Sequence, residues 1–182
     1  MTFAGSAFAC RLLTPQDAGF YEALYTSRRV MQFIAPPLTT GQARESLAQV
    51  LKAHQSDSAG LRVWLIEDHA GQAAGIQMLK RAPANADRAE AGIMLAPHAQ
   101  KSGIAQAALT GMLRFGFDNL GFRTIEAYFD HAHNAAKQLV SVAGFRIHKD
   151  TVQRAGRQCC HADIRAESIV LGEAGQSPFA VD

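Results

Sequence analysis

The sequence predicts an α/β (α+β) fold of about seven strands and about four helices. Short apolar runs bounded by Gly, Pro or Asp recur along the chain as candidate strands. Longer segments with apolar residues at helical spacing lie between them as candidate helices. In chain order the elements are strand, helix, helix, three strands, helix, strand, helix and two strands.

Length and composition favour one globular domain. The chain has 182 residues, of which 48% are apolar and 19% charged, as in ordinary globular proteins. A chain of this length folds by default as one domain with a substantial core. We therefore predict a single domain over 1–182, with its core at about 7–170 and a loosely held tail at 171–182.

Charge and cysteine content exclude several classes of partner. The 18 basic and 16 acidic residues give a net charge of +2 without a run of Lys or Arg, so no nucleic-acid partner is expected. No apolar run approaches the ~20 residues of a membrane helix, so no membrane partner is expected. Cys10, Cys159 and Cys160 are odd in number and do not form a disulfide framework. The expected location is a reducing cytoplasm.

The predicted N-terminal elements are a strand over 7–13, helices over 18–25 and 43–54, and strands over 61–66 and 72–80. Thr39 and Gln42 have the spacing of a capping box before the second helix. The segment 26–37 is irregular and is either a lid or a packed connector. A loop is predicted over 83–88.

The predicted C-terminal elements are a strand over 89–95, a helix from Ile104 to Gly121, a strand over 122–129, a helix over 135–143, and strands over 145–152 and 157–170. The final pair surrounds a turn at 154–156.

The loop after the strand 89–95 has the composition of an anion site. It contains Lys101, Ser102 and Gly103 and enters a helix at Ile104. The first N–H groups of a helix lack intrahelical partners and carry about half a positive charge, so they attract a diphosphate. Gly103 has no Cβ to obstruct the phosphates, while Lys101 and Ser102 add a cation and a hydroxyl donor. A plain strand-to-helix connection remains the alternative, and the nucleotide-binding glycine motifs are absent.

Two motifs resemble those of the GNAT superfamily of N-acetyltransferases. Gln100-x-x-Gly103-x-Ala105 is similar to its Q/R-x-x-G-x-G/A signature, and the segment 136–145 is similar to its A-x-x-L-Y-x-x-x-G-F helix. With the order of the elements, the resemblance covers about 7–170. The spacing of the early helices most resembles the branch of ribosomal-protein N-terminal-amine acetyltransferases.

The resemblance implies a mixed, mostly antiparallel sheet whose central strands splay apart around acetyl-coenzyme A (acetyl-CoA). The backbone at Leu95 would bind the pantetheine arm, and the acceptor amine would enter from the other side. The implied cofactor-binding residues are Leu95, Gln100, Lys101, Ser102, Gly103, Ile104, Ala105, His133 and Asn134.

Glu90 is the first candidate for the catalytic base, because direct transfer needs a neutral amine and related proteins often carry an acid early in this strand. A solvent-facing strand residue is the alternative. Glu126 and Tyr128 on the next strand are weaker candidates. The family's usual Asn, three residues before Ala136, is His133 here. The usual acids are also missing: Ala136 replaces the branch's Ser and Val140 the Tyr.

These features predict an acetyl-CoA-dependent N-acetyltransferase acting on a primary amine of a small molecule or of a protein or peptide N-terminus. The missing acids leave open a non-catalytic acyl-CoA-binding module. The spacings of His131, His133, Cys159 and His161 match no zinc pattern, so no metal is expected. The sequence also leaves open a homodimer.

Overall fold

The computed structural model describes residues 1–5, 8–56 and 60–170. This part of the chain forms eight strands: β1 Thr2–Gly5, β2 Phe8–Leu12, β3 Leu61–Asp68, β4 Ala73–Ala82, β5 Asn85–Leu95, β6 Thr124–Asp130, β7 Arg146–Arg154 and β8 Arg157–Arg165. They make one sheet in the order β1-β2-β3-β4-β5-β6-β8-β7. Only β5 and β6 pair in parallel among them, and the other neighbours are antiparallel.

Six α-helices occur in the same described part: α1 Ala18–Thr26, α2 Arg28–Met31, α3 Thr40–His54, α4 Ile104–Asp118, α5 Asn134–Val142 and α6 Ala166–Val170. The longest, α3 and α4, have 15 residues each. Within the described ranges no helix has the length and apolar character needed to span a membrane.

The sheet has a hydrophobic core on each face. On one face, α4 and α5 cover a cluster in which Trp64 packs against Phe3 and Phe115. On the other face, α1 to α3 cover β2 to β5 with a cluster that includes Tyr21 and Met31. Beyond β5, this second face carries polar and charged side chains instead. The helices therefore leave one half of that face open for a site.

The predicted fold class is confirmed, with corrections at the ends of elements. The sheet has eight strands because β1, which was not predicted, adds an edge strand before β2. The loop predicted at 83–88 is mostly strand, since β5 begins at Asn85. The helix predicted to run to Gly121 ends at Asp118, and Gly121 adopts the left-handed conformation beyond it.

The strand predicted over 157–170 is wrong in its last part. It ends at Arg165, and the short helix α6 follows. The capping box is confirmed: Gln42 donates its backbone N–H to Thr39 Oγ1, and Thr39 donates its own to Gln42 Oε1. The predicted tail at 171–182 lies outside the described residues.

Asp17 holds the junction between β2 and α1. Arg11 donates hydrogen bonds of 2.8 Å to each carboxylate oxygen, and Thr14 donates from its backbone N–H and its hydroxyl. Burial alone would raise the pKa of Asp17, but the hydrogen bonds from Arg11 and Thr14 outweigh it and leave the pKa below its usual value. The buried carboxylate therefore stabilises the fold in its charged form.

We expect Asp17→Asn to lower the free energy of unfolding by about 2 kcal/mol at neutral pH, because it weakens charge-assisted hydrogen bonds. Since the pKa is lowered on folding, this stabilisation is complete above the unfolded value of 3.8 and is lost as the pH falls through the folded value. Urea unfolding of wild type and Asp17→Asn at several pH values from about 7 to about 3 measures this difference in unfolding free energy.

Arg44→Ala is the matched control for this change. It removes the more exposed pair between Arg44 and Glu22, and such pairs contribute less than about 1 kcal/mol. A loss in Asp17→Asn no larger than that of the control would contradict the assignment. A difference from wild type that did not shrink at low pH would contradict it too.

Candidate active site

The central feature of the candidate site is the gap between β5 and β6. The parallel pairing runs from Arg88 opposite Thr124 to Ala91 opposite Ala127 and then stops. Both strands continue, β5 to Leu95 against β4 and β6 to Asp130 against β8. The strands therefore separate while each stays hydrogen-bonded to its outer neighbour, and the splay implied by the resemblance is present.

The loop between β5 and α4 lies at the open end of this gap. Lys101 and Gly103 have φ angles of 66° and 85°, in the left-handed region, and Gly103 is the N-cap residue of α4. The side chains of Gln100, Lys101 and Ser102 are exposed, whereas Ile104 is buried and offers only its backbone. Left-handed residues of this kind occur in backbone concavities that bind anions.

Side-chain hydrogen bonds fix the loop without filling its outer surface. Ser102 donates its hydroxyl to the carbonyl of Ala99 at 2.8 Å and accepts from the Ile104 N–H at 3.4 Å. Gln100 donates to the carbonyl of Leu95 at 3.5 Å. A Cβ at Gly103 would meet no other atom of the protein within 4 Å, so the space above it is open. The loop and the helix N-terminus thus have the donors and the room that a diphosphate needs.

The start of α5 lies across the gap, after β6. His133 is the N-cap residue, and its Nδ1 accepts from the Ala136 N–H at 3.3 Å. Its ring contacts that of Phe33, with 4.5 Å between centroids. Burial lowers the pKa of His133, which favours the neutral ring that this cap requires. Asn134 is exposed beside it.

The helix α5 presents no acid at the position where the family carries Tyr. Val140 is 6% exposed and packs in the core, while the neighbouring Ser141 is exposed and donates to the carbonyl of Lys137. Any proton donor for a leaving thiolate must therefore come from another element or from solvent.

The segment 26–37 packs next to the end of β6. Arg157 donates to the carbonyl of Gln32 at 3.1 Å and forms an ion pair with Asp130 at 2.9 Å. Together with the contact between Phe33 and His133, this places the segment against α5 and β8. It is a packed connector that also borders the gap.

On the face not covered by helices, an open cleft of about 490 Å³ begins where β5 and β6 start to separate. Glu90 lies in its floor, one residue before the last paired position of β5. Arg154 donates to Glu90 Oε2 at 2.8 Å. The lining residues are Lys80, Arg81, Ala82, Pro83, Glu90, Glu126, Tyr128, Val152 and Arg154.

Four side chains stack in a column, and the first two of them, Arg154 and Tyr128, line the cleft. The Arg154 guanidinium lies 4.0 Å from the centre of the Tyr128 ring, which stacks on His161, which stacks in turn on His148. Burial is the main cause that raises the pKa of Tyr128, so its hydroxyl keeps its proton. His148 also contacts Asp163.

Carboxylates along the column contact arginine and histidine side chains. Burial alone would raise the pKa of Asp163, but hydrogen bonds with His148 and Arg146 outweigh it and lower that pKa. Glu126 Oε1 accepts from Arg88 and lies 3.3 Å from His161 Nε2.

The structure brings the three candidate catalytic residues into one cleft: Glu90, Glu126 and Tyr128. Sequence reasoning missed Arg88, Arg154 and His161, which bind or stack on them. Period-two alternation placed Glu126 and Tyr128 on one face of β6, but Arg154 and His161 come from β7 and β8, whose register the sequence does not reveal. Within the described ranges, no three His, Cys, Asp or Glu side chains are arranged to hold a metal ion.

Comparisons with known proteins identify the fold and the family. The chain resembles spermidine N-acetyltransferase from Vibrio cholerae in complex with CoA and spermine, at 22% identity and a TM-score of 0.77, covering 90% of this chain and 98% of that one. It resembles ribosomal-protein-S5-alanine acetyltransferase from Vibrio fischeri at 13% identity and a TM-score of 0.76, covering 91% and 96%.

A third similar structure is RimL, a ribosomal L7/L12 alpha-N-protein acetyltransferase in complex with CoA, at 15% identity and a TM-score of 0.75, covering 90% of this chain and 96% of that one. At these identities the likeness shows the fold. No curated protein sequence is similar enough to count as a match. The family model for the acetyltransferase (GNAT) domain matches residues 9–146. The chain therefore belongs to the GNAT family of N-acetyltransferases, enzymes that take their acetyl group from acetyl-CoA, as the sequence motifs predict.

Proposed function

We propose that acetyl-CoA lies in the gap between β5 and β6 and that a primary amine reaches it from the cleft on the opposite face. The observation that carries this proposal is the end of parallel pairing at Ala91 and Ala127, while both strands continue. Beyond that point β5 has backbone N–H and C=O groups that no longer pair with β6. The pantetheine arm contains amide groups that can pair with such an edge.

The coenzyme contacts proposed from the sequence agree with this arrangement. The backbone at Leu95 would orient the pantetheine arm and the acetyl carbonyl. The N–H groups at the start of α4 would hold the pyrophosphate, helped by Lys101 and Ser102. His133 and Asn134, across the gap, would border the coenzyme. The bound thioester supplies an activated carbonyl that an amine can attack.

Glu90 is the proposed catalytic base. Among the described residues only Arg154 bonds to it, through Oε2, so Oε1 can accept the amine proton directly or through a water. Glu126 is less suited because its Oε1 is already held by Arg88 and lies next to His161. As the new C–N bond forms and the C–S bond breaks, solvent or the Tyr128 hydroxyl would supply a proton to sulfur.

The acceptor is proposed as a small molecule or a peptide N-terminus, since the similar structures include enzymes named for both kinds. Cytoplasmic location is a proposal from the free cysteines, all three of which are unpaired in the described chain. A homodimer is likewise a proposal.

The coenzyme site is tested by calorimetric titration with acetyl-CoA of wild type and Gly103→Val. We expect at least tenfold weaker binding in the variant, a loss of ~1.4 kcal/mol, because a branched side chain disfavours the left-handed backbone and projects into the space for the phosphates.

Gly121→Val is the matched control for this titration. Gly121 also has a left-handed backbone and open space around it, but it follows the other end of α4. Acetyl-CoA affinity should be unchanged in this control. Equal losses in both variants, or unchanged affinity in a folded Gly103→Val protein, would remove the loop from the site.

The base is tested with Glu90→Gln. We expect kcat/KM for the amine to fall roughly a hundredfold, the range for a general base, with acetyl-CoA affinity unchanged. Glu45→Gln, exposed on α3, is the control. Release of CoA thiol across a panel of amines measures the activity.

Wild-type kcat/KM in Glu90→Gln would eliminate this role. Tight binding of acetyl-CoA without thiol release for any amine would instead favour the non-catalytic acyl-CoA-binding module, an outcome that the loss of the α5 acid makes worth testing.

A further inference from the structure

The charges in the cleft distinguish among classes of amine acceptor. Three cationic side chains and two carboxylates line it. Each carboxylate is engaged by an arginine: Glu90 by Arg154, and Glu126 by Arg88. The charge of each carboxylate is already balanced by its arginine, so a second positive charge on the acceptor would gain little attraction from either one. The lining therefore disfavours an acceptor with a second positive charge.

Arg154 is positioned to bind an anion. One of its terminal nitrogens donates to Glu90, and its guanidinium plane rests on the Tyr128 ring. Stacking of Tyr128 on His161, and of His161 on His148, supports this plane from below. A guanidinium has five N–H donors, and among the described residues only Glu90 accepts from Arg154. The Arg154 side chain is thus held in place and still has N–H donors that can bind a carboxylate.

Lys80 supplies a second cation to the lining of the cleft. It lies directly opposite Glu90 in the register of β4 and β5, so the two side chains project from the same face. Yet within the described ranges Lys80 forms no ion pair, and its side chain is exposed. Arg81 contributes less, because it donates to the carbonyl of Ala86 and lies over the Phe122 ring.

We propose that the acceptor is an amino carboxylate, a molecule whose primary amine is acetylated while its carboxylate binds Arg154 and Lys80. This rests on the proposed transfer function and names the substrate class of the same site. The amine lies near Glu90 and the gap, and the carboxylate lies between Lys80 and Arg154, the two cationic side chains beside Glu90. The carboxylate can belong to a free amino acid or to an acidic side chain near a peptide N-terminus.

The test compares amines that differ only in charge at the far end. The probes are 4-aminobutyrate, butylamine and 1,4-diaminobutane, with their shorter homologues β-alanine, propylamine and 1,3-diaminopropane. A further set of probes consists of peptides with Glu, Gln or Lys next to the N-terminal residue. These peptides distinguish an acidic side chain near a peptide N-terminus from a free amino acid as the source of the carboxylate. We expect the anionic member of at least one series to have at least tenfold higher kcat/KM than its neutral and cationic analogues.

Lys80→Glu should reverse this order in favour of the cationic amine, while Lys52→Glu, an exposed lysine on α3, should leave it unchanged. Acetyl-CoA affinity should stay at the wild-type value in both variants. A wild-type preference for the neutral or cationic members would overturn the proposal. A Lys80→Glu protein with unaltered preference would overturn the role of that residue and the proposal with it.

A binding measurement separates failure of this inference from failure of the transfer function. Calorimetric titration of the CoA-saturated protein with each probe requires no turnover. Binding of the anionic probes without acetylation would refute acetyl transfer, and with it the acceptor role, but would leave Arg154 and Lys80 assigned as a carboxylate-binding site. Acetylation without any preference for the anionic probes would support acetyl transfer and overturn the inference. Absence of binding by every anionic probe would also overturn the inference.

Discussion

The arrangement of the site depends on the separation of β5 from β6. Four paired positions join the two strands, and then each follows its antiparallel neighbour instead. Gly75 keeps β4 tight against the end of β5, since a Cβ there would come within 2.4 Å of the Met94 carbonyl oxygen. The gap is thus built into the strand pairing, and the backbone groups on the open edge of β5 are available to a ligand with its own hydrogen-bonding groups.

In the proposed arrangement, the gap also separates acetyl-CoA and the acceptor amine onto two faces of the sheet. The start of α4 offers backbone donors and a helix dipole, which suit a diphosphate whatever the rest of the ligand is. The cleft on the other face offers side chains from β4 to β8, whose ion pairs and stacked rings are particular to this chain. In this proposal, coenzyme binding rests on backbone geometry that a short motif can encode, whereas acceptor choice rests on side chains such as Lys80 and Arg154.

This difference explains what the sequence could predict. Helical spacing and glycine positions predict the long helix α4, the loop before it and the order of most elements along the chain, because those signals are local. The strand β1 is not predicted because four residues show too little alternation to detect. The helix α6 is predicted as strand because its five residues directly follow the true strand β8, with no glycine or proline between them. The column of Arg154, Tyr128 and His161 joins three strands, and no local pattern predicts contacts that depend on their register.

The measurement that tests the account most directly is amide hydrogen exchange of the whole chain with and without acetyl-CoA. If acetyl-CoA lies in the gap, exchange should slow in two separate segments, 92–95 along the open edge of β5 and 100–105 at the start of α4. These segments should respond together, because one ligand spans both. Binding of acetyl-CoA that left both segments unchanged and slowed exchange elsewhere would contradict the placement of the coenzyme in the gap.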